Sequence, residues 1–278
     1  MSDPYLKVSH LTVTFETASG SFLAVDDISF ELRRGEILAL VGESGSGKSM
    51  TSLAAMQLLP SSARMGGTIE IDSTMISNLN RRAMEDIRGA KIGMVFQEPM
   101  TSLNPVLTIE RQMTEGLIRH QKLSRAKARA AAITALDDVG IADPARLLRQ
   151  YPHQLSGGMR QRVMIAAALA LKPGVLIADE PTTALDVTIQ AQVLDLLVDL
   201  KTRFDSGILL ITHDIGVVAE TADRVAVMRG GKIIETGTID RILTHPQHEY
   251  TRKLLASHLT VDGAMQNRFA GPREGVQS

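Results

Sequence analysis

Glu36-Ile37-Leu38-Ala39-Leu40-Val41 runs straight into Gly42-Glu43-Ser44-Gly45-Ser46-Gly47-Lys48-Ser49 and then Met50. The opening residues are a short apolar run without alternation, the pattern of a strand buried on both faces. Gly42 to Ser49 fits G-x-x-x-x-G-K-[ST]. In such a stretch glycines free backbone N–H groups to cradle a phosphate, Lys48 reaches the outer phosphates, and Ser49 offers a hydroxyl to Mg²⁺. With Gly at ~7% of residues, the pattern arises by chance in about one chain in a hundred of this length. A strand before it and a helix after it predict an α/β fold built around a triphosphate site.

Four other places carry chemistry that such a site could use. Leu155-Ser156-Gly157-Gly158-Met159 pairs two glycines with a hydroxyl just where a helix opens at Gly158, so it reads as a second anion receptor. Two phosphate-facing helix starts so far apart in one chain suggest a nucleotide held between two copies. Val175-Leu176-Ile177-Ala178-Asp179-Glu180 reads as a central parallel strand ending in two carboxylates. There Asp179 would hold Mg²⁺ through water and Glu180 would be the general base. Gln97 leaves a strand into a turn-rich segment and could bring its oxygen to Mg²⁺ and the attacking water. His213 closes the apolar run Gly207 to Thr212 and could reach a γ-phosphate oxygen. Each alone has a bland alternative: a solvated turn for the acids, a polar strand cap for Gln97, a structural imidazole for His213.

Taken together these motifs resemble the ATP-binding cassette (ABC) family, whose LSGGQ loop reads LSGGM here. The resemblance covers about residues 5 to 258, and each motif occurs once, in family order. It implies a P-loop NTPase core with a mixed, mainly parallel sheet, an antiparallel β subdomain and an inserted all-helical subdomain. One ABC ATPase domain would span 1–258, with core about 1–97 and 160–244, helical subdomain about 98–159 and a short C-terminal helix about 245–258. Residues 259–278 would be a flexible tail. The resemblance makes Gln97 the Q-loop residue, Pro181 to Asp186 the D-loop with its Asp186, and His213 the switch histidine. It points to Phe15 as the aromatic stacked on adenine, with Phe22 as fallback. Two cassettes head to tail would then bury ATP and Mg²⁺ between one copy's Lys48, Ser49, Gln97, Asp179, Glu180 and His213 and the other's Ser156 and Gly158.

The rest of the chain agrees with that outline. Alternating apolar positions over 6–15 and 24–32 predict two antiparallel strands, and 68–71 and 91–96 read as further strands flanking a polar helix over 82–87. Helical spacing covers 108–120 and 124–139, with helix ends expected at Gly140 and Pro144. A helix over 161–171, an amphipathic helix over 188–204 and a closing hairpin over 225–228 and 232–236 complete the pattern. His245 and His248 invite a metal reading, but with no carboxylates or thiols around them they predict a surface loop and helix cap.

The 278 residues are 44% hydrophobic and 22% charged, ordinary for a globular chain, and a net charge of −1 argues against nucleic acid as a partner. With no cysteine, disulfides and thiolate metal sites are excluded. The N-terminus shows no secretory signal, and the longest apolar run, Val163 to Leu171, falls far short of the ~20 residues a membrane span needs. Membrane contact would come through another protein. The stretch Ala178 to Gln192, together with His245 to Leu255, resembles the dipeptide, oligopeptide and nickel branch of ABC importers. That implies a second ATPase subunit, related or identical, two membrane permease subunits, an extracytoplasmic solute-binding protein, and a place at the cytoplasmic face of the inner membrane. Peptide members often continue into a Cys-containing extension that is missing here, and the ending Leu254 to Leu259 leans to nickel. Rivals are a non-transport ABC ATPase of the repair or translation type, an exporter cassette, and a small-molecule P-loop kinase. The kinase has no need of Leu155 to Met159, and the stretch from Gln97 to Leu155 is too short for the long coiled coil of repair members.

Overall fold

The computed structural model describes residues 4–17, 20–97, 102–182 and 187–258. Asp186 of the expected D-loop, the turn after Glu98 and the tail over 259–278 lie outside the described residues. Two sheets organise the chain. The first takes β1 (Leu6–Thr17), β2 (Gly20–Leu32), β4 (Ala63–Ile71) and β5 (Thr74–Met75) in the order β2-β1-β4-β5, all antiparallel. The second takes β3 (Ile37–Val41), β6 (Ile92–Val95), β7 (Val175–Asp179), β8 (Gly207–Thr212), β9 (Arg224–Arg229) and β10 (Lys232–Thr238) in the order β10-β9-β3-β8-β7-β6. Its strands are parallel except at the β9–β10 hairpin. That hairpin turns at Gly230 and Gly231, both at positive φ (53° and 81°), as a tight turn matching strand twist requires.

The central strands read as apolar runs because both faces are covered. Every residue of β3, β7 and β8 is buried. Leu38, Leu40, Ile177, Leu209 and Ile211 are each at most 1% exposed, and burying each such side chain is worth about 2 kcal/mol. One apolar cluster lies between the second sheet and the helices, and it includes Ile109, Met113, Ala128, Ala132 and Leu136 together with Ile37, Ala39 and Leu176. The other lies between the two sheets.

Helix α1 (Lys48–Ala55) leaves β3, and α2 (Arg81–Ile87) precedes β6. Residues between the Gln97 and Leu155 motifs form α3 (Ile109–Gln121), α4 (Arg125–Asp138) and the short α5 (Pro144–Leu147). Thr108 and Ser124 cap the first two with their hydroxyls. Gly140 sits at φ 74° just past α4, as expected. Pro144 reverses the expectation: it opens α5 behind the Asp143 cap instead of ending a helix. The reason is that a first-turn proline lacks only an N–H that would be unpaired anyway. Two other elements shift. Helix α6 runs Gly157–Leu169, earlier at both ends than the expected 161–171 and one residue before the expected opening at Gly158. Strand β4 begins at Ala63, ahead of Thr68, because β1 bulges at His10 (φ 52°) and continues pairing past the bulge. Helices α7 (Val187–Phe204), α8 (Ile215–Thr221) and α9 (Ile239–Thr244) follow, the first close to the expected 188–204.

The bulge in β1 depends on Gly67. It sits at φ 84°, and a Cβ there would lie 2.2 Å from the His10 carbonyl oxygen. Gly67→Ala is therefore expected to cost about 2 kcal/mol or more, combining left-handed backbone strain with a backbone clash. Thermal unfolding checks it, with Tm falling by roughly 4–8 °C.

Candidate active site

Strand order alone lines the chemistry up. Adjacent strands β3, β8, β7 and β6 are parallel and in register, Val41 opposite Thr212, Ile211 opposite Asp179, Ala178 opposite Val95. Their carboxyl ends therefore present the glycine-rich loop, His213, Asp179 with Glu180, and Gln97 side by side along one edge, where open α/β sheets bind ligands.

The loop from Gly42 to Lys48 is wrapped by its neighbours. A Cβ on Gly42 would lie 2.2 Å from the Met228 carbonyl oxygen, and one on Gly47 2.5 Å from that of Ala24, so the backbone comes this close only as glycine. The Gly231 N–H bonds to the Ser46 carbonyl at 3.1 Å and the Asp26 N–H to the Gly231 carbonyl at 2.9 Å, which stitches β2, the hairpin turn and the loop together. Gly45 (φ 78°) faces open space, and Glu43, Ser44 and Gly45 are exposed. Helix α1 starts at the end of the loop, with Met50 partly buried against the inter-sheet core. Lys48 is 5% exposed, and its Nζ donates to the Gly42 and Glu43 carbonyls at 2.7 and 2.8 Å. Burial pushes its ammonium down from the ordinary lysine value, while Glu180, Asp179 and Glu43 pull it back up.

Asp179 and Glu180 are neighbours in sequence with different partners. The Asp179 carboxylate accepts from Ser49 Oγ at 3.3 Å and from Ser52 Oγ at 3.1 Å. Burial raises its pKa, against the two serine hydrogen bonds; the Glu180 charge adds to the rise and Lys48 opposes it. A buried carboxyl under that load beside a serine hydroxyl is an all-oxygen donor set that suits a hard divalent cation. Among the described residues no cluster of three or more His, Cys, Asp or Glu side chains is placed to hold a metal. The oxygens of Ser49 and Asp179 suit Mg²⁺, which these two residues would hold. Ser52 belongs to no motif of the sequence, yet a signal for it exists: three residues beyond Ser49 on a helix puts it on the same face.

The chain turns sharply at Glu180, which takes a left-handed φ of 45° and donates its N–H to the Ile211 carbonyl at 2.8 Å. Its carboxylate accepts from Gln97 Nε2 at 2.9 Å and meets His213 Nδ1 at 3.2 Å. The side chain of Glu180 is 14% exposed and that of His213 55%. Of the three residues expected to be catalytic, Gln97 and His213 thus each contact Glu180, and Glu180 joins Gly42, Glu43, Ser44 and His213 around one pocket.

The stretch expected to be a second anion receptor forms a capped helix start. Leu155 is buried, Ser156 Oγ caps α6 by accepting the Met159 N–H at 3.3 Å, and Met159 packs on the helical core. Gly158 fits against Ile189, 3.1 Å from where its Cβ would be, while Gly157 faces open space. Among the described residues no hydrogen bond joins Leu155–Met159 to Gly42–Met50. Gln161, 1% exposed, donates to the Pro181 carbonyl at 2.6 Å and ties α6 to the segment after Glu180. Phe15 is half-buried against the inter-sheet core and lies across from Phe22, which is 59% exposed. His248 caps the last helix by accepting the Tyr250 N–H on Nδ1 at 3.0 Å.

Fold and site together define a P-loop nucleotide-binding protein of the α/β class. Residues 25–183 match the family model described as ABC transporter, and the chain belongs to that family; it is an ATPase cassette. It is 54% identical over 258 residues to the peptidoglycan transport ATP-binding protein YejF of Agrobacterium fabrum, covering 92% of this chain and 47% of that protein. It is 51% identical over 261 residues to the oligopeptide transport ATP-binding protein OppD of Bacillus subtilis, covering 93% of this chain and 73% of the relative. The chain thus spans about half the length of the first and about three quarters of the second. Among solved structures, the dimeric ATP-binding cassette MJ0796 bound to ADP and Pi superposes with a TM-score of 0.75 at 30% identity, covering 84% of this chain and 98% of that one.

Proposed function

We propose that the chain is the ATP-hydrolysing subunit of a solute importer of the dipeptide, oligopeptide and nickel class, and that it works only as a head-to-tail pair of cassettes. The observation that carries the pairing is a division of labour between two surfaces. Among the described residues the Gly42–Met50 loop makes no hydrogen bond to the Ser-Gly-Gly loop, whose Gly157 faces open space. The dimeric state of the MJ0796 cassette supports the arrangement. The partner cassette is identical or related.

In this reading Lys48 and the loop N–H groups bind the phosphates, while Ser49 and Asp179 hold Mg²⁺, which when bound neutralises charge on the β- and γ-oxygens. Gln97 fixes one oxygen of Glu180, leaving the carboxylate to take a proton from the water that attacks the γ-phosphorus. His213 reaches a γ-phosphate oxygen, Phe15 stacks on adenine, and Ser156 with the N–H groups of Gly157 and Gly158 closes the site from the other copy. Asp186 serves the same seam. Two permease subunits and an extracytoplasmic binding protein complete the assembly at the cytoplasmic face of the inner membrane. Among the described residues no helix is long and apolar enough to cross a membrane, in keeping with a peripheral subunit. The names of the relatives, oligopeptide and peptidoglycan transport, favour a peptide cargo over nickel.

The pairing is tested by mixing two dead chains. Lys48→Ala removes the phosphate cation and Ser156→Arg fills the second receptor; each alone is expected to hydrolyse ATP hardly at all. In a mixed pair, the cradle of the Ser156→Arg chain faces the intact loop of the Lys48→Ala chain, so activity returns on mixing. Silence after mixing, with mixed pairs demonstrated by differential tags, sinks the arrangement.

A further inference from the structure

The helix that ends the described chain, α10 (Glu249–His258), is built against the phosphate loop. Tyr250 is 4% exposed, and its hydroxyl accepts the Glu43 N–H at 3.2 Å. The Glu43 carbonyl, on the other side of that residue, accepts from Lys48 Nζ and from the Ser46 N–H at 3.2 Å. Glu43 is therefore pinned at both peptide groups, from inside the loop by Lys48 and Ser46 and from outside it by Tyr250. One turn along α10, Leu254 lines the pocket that Gly42, Ser44, Glu180 and His213 share.

Tyr250 is itself held in place. The Arg229 guanidinium lies 4.7 Å from its ring centroid, a cation–π contact at the end of β9. At the start of α10 the Glu235 carboxylate on β10 accepts the N–H groups of Gln247 at 2.7 Å and His248 at 3.0 Å. Burial alone would raise the Glu235 pKa; the Thr251 hydroxyl beside it, those two N–H groups and nearby Arg241 outweigh burial and hold it below the ordinary carboxylate value. A carboxyl whose folded pKa is depressed contributes stability above its unfolded value, and that contribution is lost as pH falls through the folded one. The clamp is thus intact at neutral pH. The route from sheet to loop is continuous: Glu235 fixes the helix start, the helix carries Tyr250, and Tyr250 fixes Glu43.

We infer that Tyr250 is a positioning residue for nucleotide binding, holding the first peptide of the phosphate loop in its cradle conformation, with Glu235 as the anchor behind it. It touches no substrate. Its contribution is preorganisation: without the hydroxyl, Glu43 must be ordered when the nucleotide arrives, and affinity falls. The inference rests on the nucleotide site proposed above.

The test uses the full chain and a fluorescent ATP analogue with Mg²⁺. Tyr250→Phe keeps the ring under Arg229 and removes only the hydroxyl. We expect Kd and the KM for ATP to rise about two- to tenfold, the range one hydrogen bond of ordinary net strength commands, with kcat at saturating ATP retained. Glu235→Gln, loosening the start of the helix without touching Glu43 itself, should raise Kd in the same direction, and the double variant should fall short of the product of the two effects. A Tyr250→Phe Kd within about 1.5-fold of the parent, a change too small for one such bond, overturns the inference, whether or not Tm drops. So does a loss confined to kcat. The parent's own titration, with Lys48→Ala as the non-binding control, decides the underlying site, so failure there is told apart from failure of Tyr250.

Discussion

Glu180→Gln is expected to lower ATP turnover by about a hundredfold or more, the range a positioned general base supplies, while ATP binding is kept or strengthened. The amide has nearly the same shape and cannot accept the proton from the attacking water. Nothing that holds the nucleotide is touched: Lys48 stays on the Gly42 and Glu43 carbonyls and Asp179 keeps Ser49 and Ser52. Removing one negative charge beside the γ-phosphate also relieves repulsion, so ATP should hold two cassettes together for longer. The cost to the fold is small, since the contact given up is to a His213 side chain that is 55% exposed. A quenched-flow measurement of phosphate release beside size-exclusion chromatography with ATP checks both halves. Turnover near the parental rate removes Glu180 as base; lost turnover with no gain in dimer leaves the base and removes the pairing.

Lys48→Ala is expected to act one step earlier, cutting nucleotide affinity by about a hundredfold or more, because each hydrogen bond to a charged group is worth roughly 1.5–3 kcal/mol and Lys48 can make two to the β- and γ-phosphates. The fold should survive. Its ammonium is held below the ordinary lysine value by burial, so deleting it relieves a desolvation cost that partly offsets the lost bonds to the Gly42 and Glu43 carbonyls. Isothermal titration with ATP and Mg²⁺, paired with a melting curve, separates the two effects. Ordinary affinity would mean the phosphates are gripped elsewhere.

Much of this is legible in the chain because the decisive signals are local. Val175 to Ala178 and Ile208 to Ile211 announce buried strands by unbroken apolar runs, and Gly42 to Ser49 carries its chemistry in contiguous residues. A parallel sheet with helical crossovers then limits the strand order. The hidden part depends on distance. Nothing near Tyr250 says that its hydroxyl will reach a peptide at Glu43, and nothing in Gln161 announces the Pro181 carbonyl. Such bonds exist only once two remote elements have docked. The misplaced helix ends have a different origin. Pro144 reads as a stop because proline breaks a helix from within, yet the Asp143 side chain ahead of it makes the same ring a start.

The left-handed turn at Glu180 sets a limit on how this cassette could be hardened. A side chain in that conformation costs about 1–2 kcal/mol, and the strain is held by the Ile211 carbonyl, in order that two consecutive acids can serve different duties along one edge. Glycine at 180 would relax the turn and remove a charge that burdens Asp179. A population of variants screened for heat resistance alone would therefore be drawn toward a sturdier molecule that had forgotten its chemistry.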